Sequence, residues 1–255
     1  MHVSVIIPCY NGARTLAGAV SSVLAQSHAE LEVILVDDGS VDETLTVMRT
    51  FQSDPRVTVV HSDVNHGVSY SRNLGVCTAK YDWVALLDSD DQWAPDKLEK
   101  QLLAAKRHPE CGLFFTGSAF MDESGVRSGY VLHVPHTVTY HQLLRQNVIS
   151  CSSVLVKKDL LLAHPFPDVS EIHEDYAVWL QILQDIPFAC GVDAPLLVYR
   201  VYAASKSGNK LHAARMQWNT YRCLHIPFWT AASSFFCYTV RSLKKYLHIF
   251  KQFGG

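Results

Sequence analysis

The sequence lacks several features that identify common classes of protein. Across its 255 residues it has no excess of basic side chains, since 22 Lys and Arg stand against 24 Asp and Glu. This balance argues against a nucleic-acid partner held by phosphate neutralisation. Only 18% of residues are charged and 48% are hydrophobic, which excludes a disordered chain and a coiled coil. The sequence therefore indicates a globular protein with one large domain, or with one domain and an appendage.

Disulfide, zinc and secretion signals are absent as well. The seven cysteines are odd in number, scattered and never spaced C-x-x-C, which argues against a disulfide framework and a structural zinc site. The thirteen histidines include no H-E-x-x-H spacing. The N-terminus has no basic region and no cleavage site typical of a signal peptide. We therefore expect reduced core thiols in a cytoplasmic protein.

Short apolar runs alternate with helical periodicities along the first half of the chain. The runs predict strands at 3–8, 31–36, 57–60, 84–87 and 111–120, and the periodicities predict helices at 16–24, 44–51, 69–79 and 95–108. This alternation predicts an α/β fold with a mostly parallel, Rossmann-like central sheet and helices on both faces. We divide the chain into a domain at 1–215, with halves at 1–95 and 96–215, and a helical C-terminal tail at 216–255.

Polar residues follow four consecutive predicted strands, where ligands of parallel sheets bind. Asp88, Asp90 and Asp91 lie within four positions after the fourth strand, and their mutual repulsion favours a bound cation. Oxygen-only ligation suits Mg2+ or Mn2+. The alternative is a solvated acidic turn that caps the next helix. The pair Asp37 and Asp38 at a neighbouring strand end counts against that alternative.

Two predicted helices begin with charged residues. Arg72 lies in the first turn of the helix at 69–79, where a positive charge is unfavourable unless an anion is near, so it suggests a contact with pyrophosphate or with the aspartates. Glu174 and Asp175 precede an apolar helical run. Carboxylates at that position can simply stabilise the helix dipole, or one of them can act as a general base if the helix packs on the same edge of the sheet.

The last forty residues are aromatic and end in basic side chains. The segment 223–240 carries no formal charge, but Pro227 and several hydroxyl groups interrupt it, which disfavours a membrane span. A packed pair of terminal helices and an interfacial membrane helix both remain open.

Five segments taken together resemble the inverting family 2 glycosyltransferases, which have the GT-A fold. They are V-S-V-I-I-P-C-Y-N-G (3–12), V-I-L-V-D-D-G-S-V-D-E-T (33–44), N-H-G-V-S-Y-S-R-N-L-G (65–75), W-V-A-L-L-D-S-D-D-Q-W (83–93) and H-E-D-Y-A-V-W-L (173–180). The later segments C-S-S-V-L-V-K-K (151–158) and 209–222 are most similar to bacterial transferases that build teichuronic acid, capsule and O-antigen chains.

This resemblance implies a metal-dependent enzyme that moves a hexose from a UDP-sugar to a hydroxyl of a lipid-linked oligosaccharide. The half at 1–95 would bind the nucleotide-sugar and the half at 96–215 the acceptor, at the inner face of the cytoplasmic membrane, with the tail as a peripheral contact. Asp175 matches the catalytic base, and Asp90 and Asp91 match ligands of Mn2+ or Mg2+. The implied donor-binding residues are Pro8, Tyr10, Asn11, Asp37, Asp38, Gly67, Arg72, Asp88, Ser89 and Asp90. Further candidates are Glu174, Trp179, Arg200 and Lys206.

One position departs from the family pattern, and other classes compete. Tyr202 stands where relatives often have His, near a loop in which Arg200 or Lys206 could supply positive charge. An aspartate-nucleophile phosphatase needs Thr or Val where Gln92 stands, and a sugar nucleotidylyltransferase needs a Gly-rich, Arg-containing loop that is missing after the first strand. A catalytically silent carbohydrate-binding or scaffolding protein of the same fold remains an alternative.

Overall fold

The computed structural model describes residues 1–202 and 210–239. Its strands are β1 (Val3–Cys9), β2 (Leu31–Asp38), β3 (Val57–Ser62), β4 (Trp83–Leu86), β5 (Gln92–Trp93), β6 (Leu113–Met121), β7 (Arg127–Leu132), β8 (Thr137–Val138), β9 (Leu155–Lys157) and β10 (Ala189–Arg200). Its helices are α1 (Leu16–Leu24), α2 (Thr44–Thr50), α3 (Val68–Thr78), α4 (Lys97–Arg107), α5 (Tyr140–Arg145), α6 (Lys158–Ala163), α7 (Glu174–Asp185) and α8 (Lys210–Cys223). Single turns of 3-10 helix lie at Phe51–Ser53 and Cys151–Ser153, and residues 228–239 form a further helical segment.

These strands form one sheet, whose order is β3-β2-β1-β4-β9-β6-β10-β5, with β7 beside β6 and β8 beside β10. The strands β3, β2, β1 and β4 pair in parallel, as the alternating pattern predicts. Beyond β4 the pairing is mixed, because the three-residue β9 runs antiparallel to both β4 and β6, whereas β10 runs parallel to β6. The predicted α/β fold is confirmed, with its parallel part concentrated at one end of the sheet.

Helices cover both faces of the sheet and bury two hydrophobic cores. Along β1, Val5 and Ile7 pack in the core that contains residues of α1, α2 and α4, whereas Ile6 packs in the core that contains residues of α3 and α7. This alternation follows from the two-residue repeat of a strand. Because both faces are covered, β1 and β2 are buried along their whole length, which explains their continuous apolar sequences.

The predicted domain boundaries fall within continuous parts of the fold. The halves at 1–95 and 96–215 share the one sheet, since β5 pairs with β10. The division at 215 falls inside α8, whose Tyr221 is fully buried and donates its hydroxyl to the carbonyl of Leu144 at 2.7 Å. Residues 240–255, which carry most of the predicted basic tail, lie outside the described residues. In the part of the chain that the structure describes, no helix has both the length and the apolar character needed to cross a bilayer.

All seven cysteines are free, as predicted from their spacing. The expectation that all of them are core thiols is wrong for Cys77, which lies exposed near the end of α3. Cys223 and Cys237 are half-buried, and the other four are buried.

We predict that Gly191→Ala destabilises the protein, because β10 passes very close to the backbone at this point. A Cβ atom at Gly191 would lie 2.0 Å from the carbonyl oxygen of Pro135, which is backbone and cannot rotate away. We expect the free energy of unfolding to fall by about 1–3 kcal/mol, measured from the midpoint of urea unfolding. Gly129→Ala in β7 is the control, since a Cβ there has no neighbour within 4 Å. Equal midpoints for the two variants would contradict the close approach.

Candidate active site

A cavity of about 550 Å³ opens where β1, β2 and β4 end. Its volume lies in the range of sites for small molecules and cofactors. Ten of the predicted site residues line it: Pro8, Tyr10, Asp38, Gly67, Arg72, Asp88, Ser89, Asp90, Asp91 and Glu174. The carboxyl ends of the parallel strands and the start of α7 therefore meet at one site, as the sequence pattern predicts.

Asp38 organises the loop between β3 and α3. Its Oδ1 accepts the backbone N–H of His66 at 2.9 Å, and its Oδ2 accepts that of Gly67 at 2.8 Å. The side-chain amide of Asn65 donates to the backbone carbonyl of Asp38 at 3.2 Å. Gly67 has a φ of 93°, a region that favours glycine, so this residue allows the loop to turn into α3. Asp38 thus holds one wall of the cavity in shape.

Arg72 is a buried cation that joins two elements of the site. Its Nη2 donates to Oδ1 of Asp88 at 2.8 Å, and its Nη1 donates to Oε1 of Glu174 at 2.9 Å. The guanidinium also lies against the ring of Phe166, 5.4 Å from the ring centre. Of the two contacts suggested by its position in the sequence, the structure contains the one with the aspartates. The ion pairs connect the end of β4 to the start of α7.

The acidic segment after β4, which we define as residues 88–91, concentrates negative charge in a partly dehydrated space. Burial, reinforced by the charge of Asp88, raises the pKa of Asp90 to about 6. Burial, reinforced by Asp90 and Asp88, raises the pKa of Asp91 well above its ordinary value. The Oδ1 of Asp91 accepts the backbone N–H of Arg200 at 2.9 Å, whereas its buried Oδ2 has no partner. A nearby cation would relieve this crowding.

These donors fit Mg2+ or Mn2+ because they are all carboxylate oxygens. Among residues 1–202 and 210–239, no group of three His, Cys, Asp or Glu side chains could hold a metal ion without other ligands. A hard divalent ion commonly takes one or two carboxylates and completes its coordination with substrate phosphates and water. The acidic segment is therefore suited to a metal that arrives with a phosphorylated ligand.

Asp175 lies in the first turn of α7, next to the cavity-lining Glu174. Burial is the main cause that raises its pKa to about 7, and the charge of Glu174 adds to it, whereas Arg72 acts in the opposite direction. Its Oδ1 accepts the backbone N–H of Tyr176 at 2.7 Å. A carboxylate whose pKa lies near neutral pH is suited to general base catalysis.

Two residues predicted to bind the ligand do not line the cavity. The carboxylate of Asp37 is fully buried, where its Oδ2 lies 2.7 Å from Nδ1 of His61 and its Oδ1 accepts the N–H of Ser40 at 3.3 Å. Asn11 has a φ of 51° and bridges two loops, since its Oδ1 accepts the N–H of Val41 at 2.9 Å. Both residues support the loops around the cavity from outside it.

Three further candidates lie elsewhere. Trp179 is fully buried in the core, where its ring packs edge-on against Phe166, because this position of α7 faces the sheet. Arg200 donates its side-chain N–H groups to the backbone carbonyls of Asp90, Asp122 and Glu123 at 2.9–3.1 Å, so it braces the acidic segment. Lys206 lies outside the described residues.

Sequence reasoning missed five residues that line the cavity, which are Cys9, Asn65, Val68, Ser71 and Tyr199, and it also missed Ser152. Tyr199 lines the cavity, and the hydroxyl of Ser152 accepts the N–H of Asp88 at 3.1 Å. Tyr199 directly precedes Arg200, and Ser152 lies in the segment 151–158, so both fall in motifs that were identified. The motifs do not indicate which of their side chains face the cavity.

Comparison with known proteins identifies the family of the chain. The family described as Glycosyl transferase family 2 matches residues 4–155. TuaG of Bacillus subtilis, whose name refers to teichuronic acid biosynthesis, is 35% identical over 96% of this chain and 97% of its own. WfgD of Escherichia coli is 32% identical over 85% of this chain and 84% of its own. It is named as a UDP-Glc:alpha-D-GlcNAc-diphosphoundecaprenol beta-1,3-glucosyltransferase.

Solved structures share the fold at low sequence identity. TarS 1-349 of S. aureus in complex with UDP-GlcNAc superposes with a TM-score of 0.72 at 19% identity, over 88% of this chain and 65% of that one. The mannosyltransferase PcManGT of Pyrobaculum calidifontis, in complex with GDP-Man and Mn2+, gives a TM-score of 0.69 at 18% identity, over 89% of this chain. This chain spans slightly less than two thirds of the length of both structures. The expected GT-A fold is confirmed.

We predict that Arg72→Met destabilises the protein by about 2–4 kcal/mol, because it leaves Asp88 and Glu174 without their shared cation. Arg72→Lys keeps the charge but cannot reach both carboxylates in the same geometry, so its loss should be intermediate. Urea unfolding of both variants measures the effect. Arg127→Met, at an exposed position of β7, is the control. If Arg72→Met and Arg127→Met unfold at the same midpoint, the bridge does not stabilise the fold.

Proposed function

This chain belongs to glycosyl transferase family 2, and from that membership we propose that it transfers a hexose from a UDP-sugar to a hydroxyl of a lipid-linked oligosaccharide. The observation that carries the proposal is the junction of the acidic segment with the pair of Glu174 and Asp175 through Arg72. It brings candidate diphosphate-binding groups to the cavity and places the candidate base, Asp175, directly after the lining residue Glu174. WfgD and a second Escherichia coli relative, WfaP, are both named for UDP-Glc as donor and GlcNAc-diphosphoundecaprenol as acceptor, and these names support the proposed substrate classes.

Donor binding uses the walls at the ends of β1, β2 and β4. We assign the uracil and ribose to Pro8, the half-exposed ring of Tyr10 and the carboxylate of Asp38, with Asp37 and Asn11 holding the adjoining loops. The ribose and diphosphate would then lie against Asp88, Ser89 and Asp90, near Gly67. This assignment places the sugar toward Glu174, at the other end of the cavity.

Asp90 and Asp91 are the proposed ligands of Mn2+ or Mg2+. When bound, such an ion supplies positive charge that offsets the charge of the leaving diphosphate. The protein's own contribution is to keep the carboxylates in place. The side chain of Arg200 donates to the backbone carbonyl of Asp90, and the backbone N–H of Arg200 donates to one carboxylate oxygen of Asp91.

Asp175 acts as the general base in the proposed reaction. Its carboxylate accepts the proton of the acceptor hydroxyl while that oxygen attacks the anomeric carbon of the sugar. The bond between the anomeric carbon and the diphosphate oxygen breaks on the opposite side, so the configuration inverts and UDP leaves with the bonding electron pair. Arg72 is a positioning residue, since it holds Glu174 and therefore the first turn of α7 beside Asp88.

We place this reaction in the synthesis of a bacterial surface polysaccharide such as O-antigen, capsule or teichuronic acid, at the cytoplasmic membrane surface. The name of TuaG, which refers to teichuronic acid biosynthesis, and the diphosphoundecaprenol acceptor in the name of WfgD support this proposal. Residues 216–255 are the proposed peripheral contact with the membrane, because they combine aromatic residues with a basic end and contain no acidic residue.

We predict that UDP raises the melting temperature in the presence of Mn2+ and that EDTA removes most of this shift. A ligand at about 100 times its dissociation constant stabilises a protein by about 2.7 kcal/mol, which is readily measured. The Asp90→Asn variant should lose the Mn2+-dependent part of the melting-temperature shift. The Asp63→Asn variant, changed at a fully exposed carboxylate, should keep that part of the shift. A preference for GDP, ADP or TDP would contradict the donor class. No shift with any nucleotide would favour the silent scaffold.

We predict that Asp175→Asn lowers kcat by about 10²–10⁴ without weakening UDP binding, because only the proton acceptor is lost. Asp185→Asn, at the last residue of α7, is the control. Because the pKa of Asp175 is raised to about 7, the carboxylate is in its active, ionised form only above that pH. The value of kcat/KM should therefore fall about tenfold per pH unit below pH 7. Wild-type activity that is constant down to pH 5, or unchanged turnover by Asp175→Asn, would exclude this role.

A further inference from the structure

A second cavity, of about 860 Å³, is lined in part by residues that come just before α7. Its walls come from the loop before α7, from α8 and from the helical segment 228–239. Ile172 lines this cavity and Glu174 lines the first cavity, the donor cavity, so only His173 stands between the two lining residues in the chain. Two steps along the chain span at most about 7 Å. Asp175 follows Glu174 directly, so the start of α7 is the place where an elongated ligand of the second cavity would approach the proposed base.

The second cavity has an apolar side and a cationic side. Ile172, Trp218 and Phe228 are among its apolar walls, and the rings of Trp218 and Phe228 pack edge-on. Arg222 and His225 also line it. Within residues 1–202 and 210–239, the side chain of Arg222 has neither an acidic partner nor a hydrogen bond. A ligand that combines an anionic group with a hydrocarbon chain matches both sides.

The charge of the C-terminal part of the sequence favours an anion. All 24 acidic residues precede position 194, whereas the last 62 residues contain nine of the 22 basic residues. Glu171 lies in the chain between the lining residues Ser170 and Ile172 but does not itself line the cavity, and it faces the guanidinium of Arg215 at 3.8 Å. An excess of positive charge at one end of a chain attracts anionic ligands. The modest overall charge of −2 conceals this asymmetry.

Three large aromatic side chains on the helical segment that forms one wall of the cavity face solvent, and one of them, Phe228, lines the cavity. Phe228, Trp229 and Phe236 are 62%, 82% and 71% exposed, all on the helical segment 228–239. Exposed apolar side chains grouped beside a cavity mark contact with an apolar partner. Tryptophan in particular is enriched where proteins meet the headgroup region of a bilayer. The aromatic residues thus favour a ligand whose hydrocarbon chain emerges from a membrane.

We propose that this cavity binds the lipid diphosphate of the acceptor. Arg222 would pair with the diphosphate, and Ile172, Trp218 and Phe228 would contact the first isoprenoid units. The proposal rests on the proposed function, because it requires an acceptor carried on a polyprenyl diphosphate. It assigns the donor diphosphate and the acceptor diphosphate to two separate cavities that adjoin the start of α7. The acceptor sugar would then cross the start of α7 and present its hydroxyl to Asp175.

Binding of farnesyl diphosphate, measured by calorimetry, tests the proposal. The full chain is first saturated with UDP and Mn2+, so that the donor cavity cannot take up the probe. We expect farnesyl diphosphate to bind at least tenfold more tightly than farnesol or inorganic diphosphate. Arg222→Gln should weaken this binding at least tenfold, and Phe228→Ser should weaken it severalfold. Arg215→Gln is the matched control, since it removes the same charge from the same helix at a residue that faces Glu171.

Three results would overturn the proposal. One is equal affinity for farnesol and farnesyl diphosphate, and another is unchanged affinity in Arg222→Gln. The third is complete competition by anionic phosphatidylglycerol vesicles that contain no polyprenyl diphosphate, which would identify a membrane-docking surface instead. The melting shift of Arg222→Gln with UDP and Mn2+ checks that the variant is folded and its donor site intact. If wild type itself shows no UDP shift, the proposed function fails independently of this cavity.

Discussion

The crowding of carboxylates at one edge of the sheet is the constraint on which the site depends. Parallel pairing of β3, β2, β1 and β4 brings their carboxyl ends together, and the strands carry Asp38 and the acidic segment 88–91 to that edge. Like charges this close are costly in a partly dehydrated space. The protein offsets the cost with the buried guanidinium of Arg72, with backbone N–H groups on Asp38 and Asp91, and with space for a divalent ion. These same groups determine the shape of the cavity.

Arg72 also explains why α7 begins where it does. An ion pair between α3 and Glu174 brings the first turn of α7 to the sheet edge, and the contact of the backbone N–H of His173 with Thr220 ties α8 to the same point. The residues at the start of α7 therefore adjoin two cavities, one lined by acidic residues and the other by aromatic and basic residues. In the proposed reaction, two anionic substrates approach one base from different cavities. Separate cavities keep their diphosphates apart.

Much of this arrangement could be predicted from the sequence, because its signals are local. Apolar runs and helical repeats located the first five long strands and the helices between them, and ten predicted residues line the donor cavity. The predictions were least specific where a motif contains several polar residues. Asp37 and Asp38 are adjacent, yet only Asp38 lines the cavity, because successive side chains of a strand point to opposite faces. Trp179 belongs to the same motif as Asp175 and lies one turn further along the same side of α7, but there its ring packs in the core against Phe166.

The sequence by itself determined the alternating fold, the family and the set of acidic residues that surround the donor cavity, since each depends on residue type and on spacing along the chain. Only the tertiary structure decided which charges are paired. The bridge joins Arg72 to Glu174, which lies 102 positions further along the chain, and to Asp88, and its strength depends on burial, which arises only when α3, β4 and α7 pack together. The same holds for the second cavity, whose walls are separated along the chain by α7 and β10. Burial and long-range proximity are properties of packing, and no local pattern of residues encodes them.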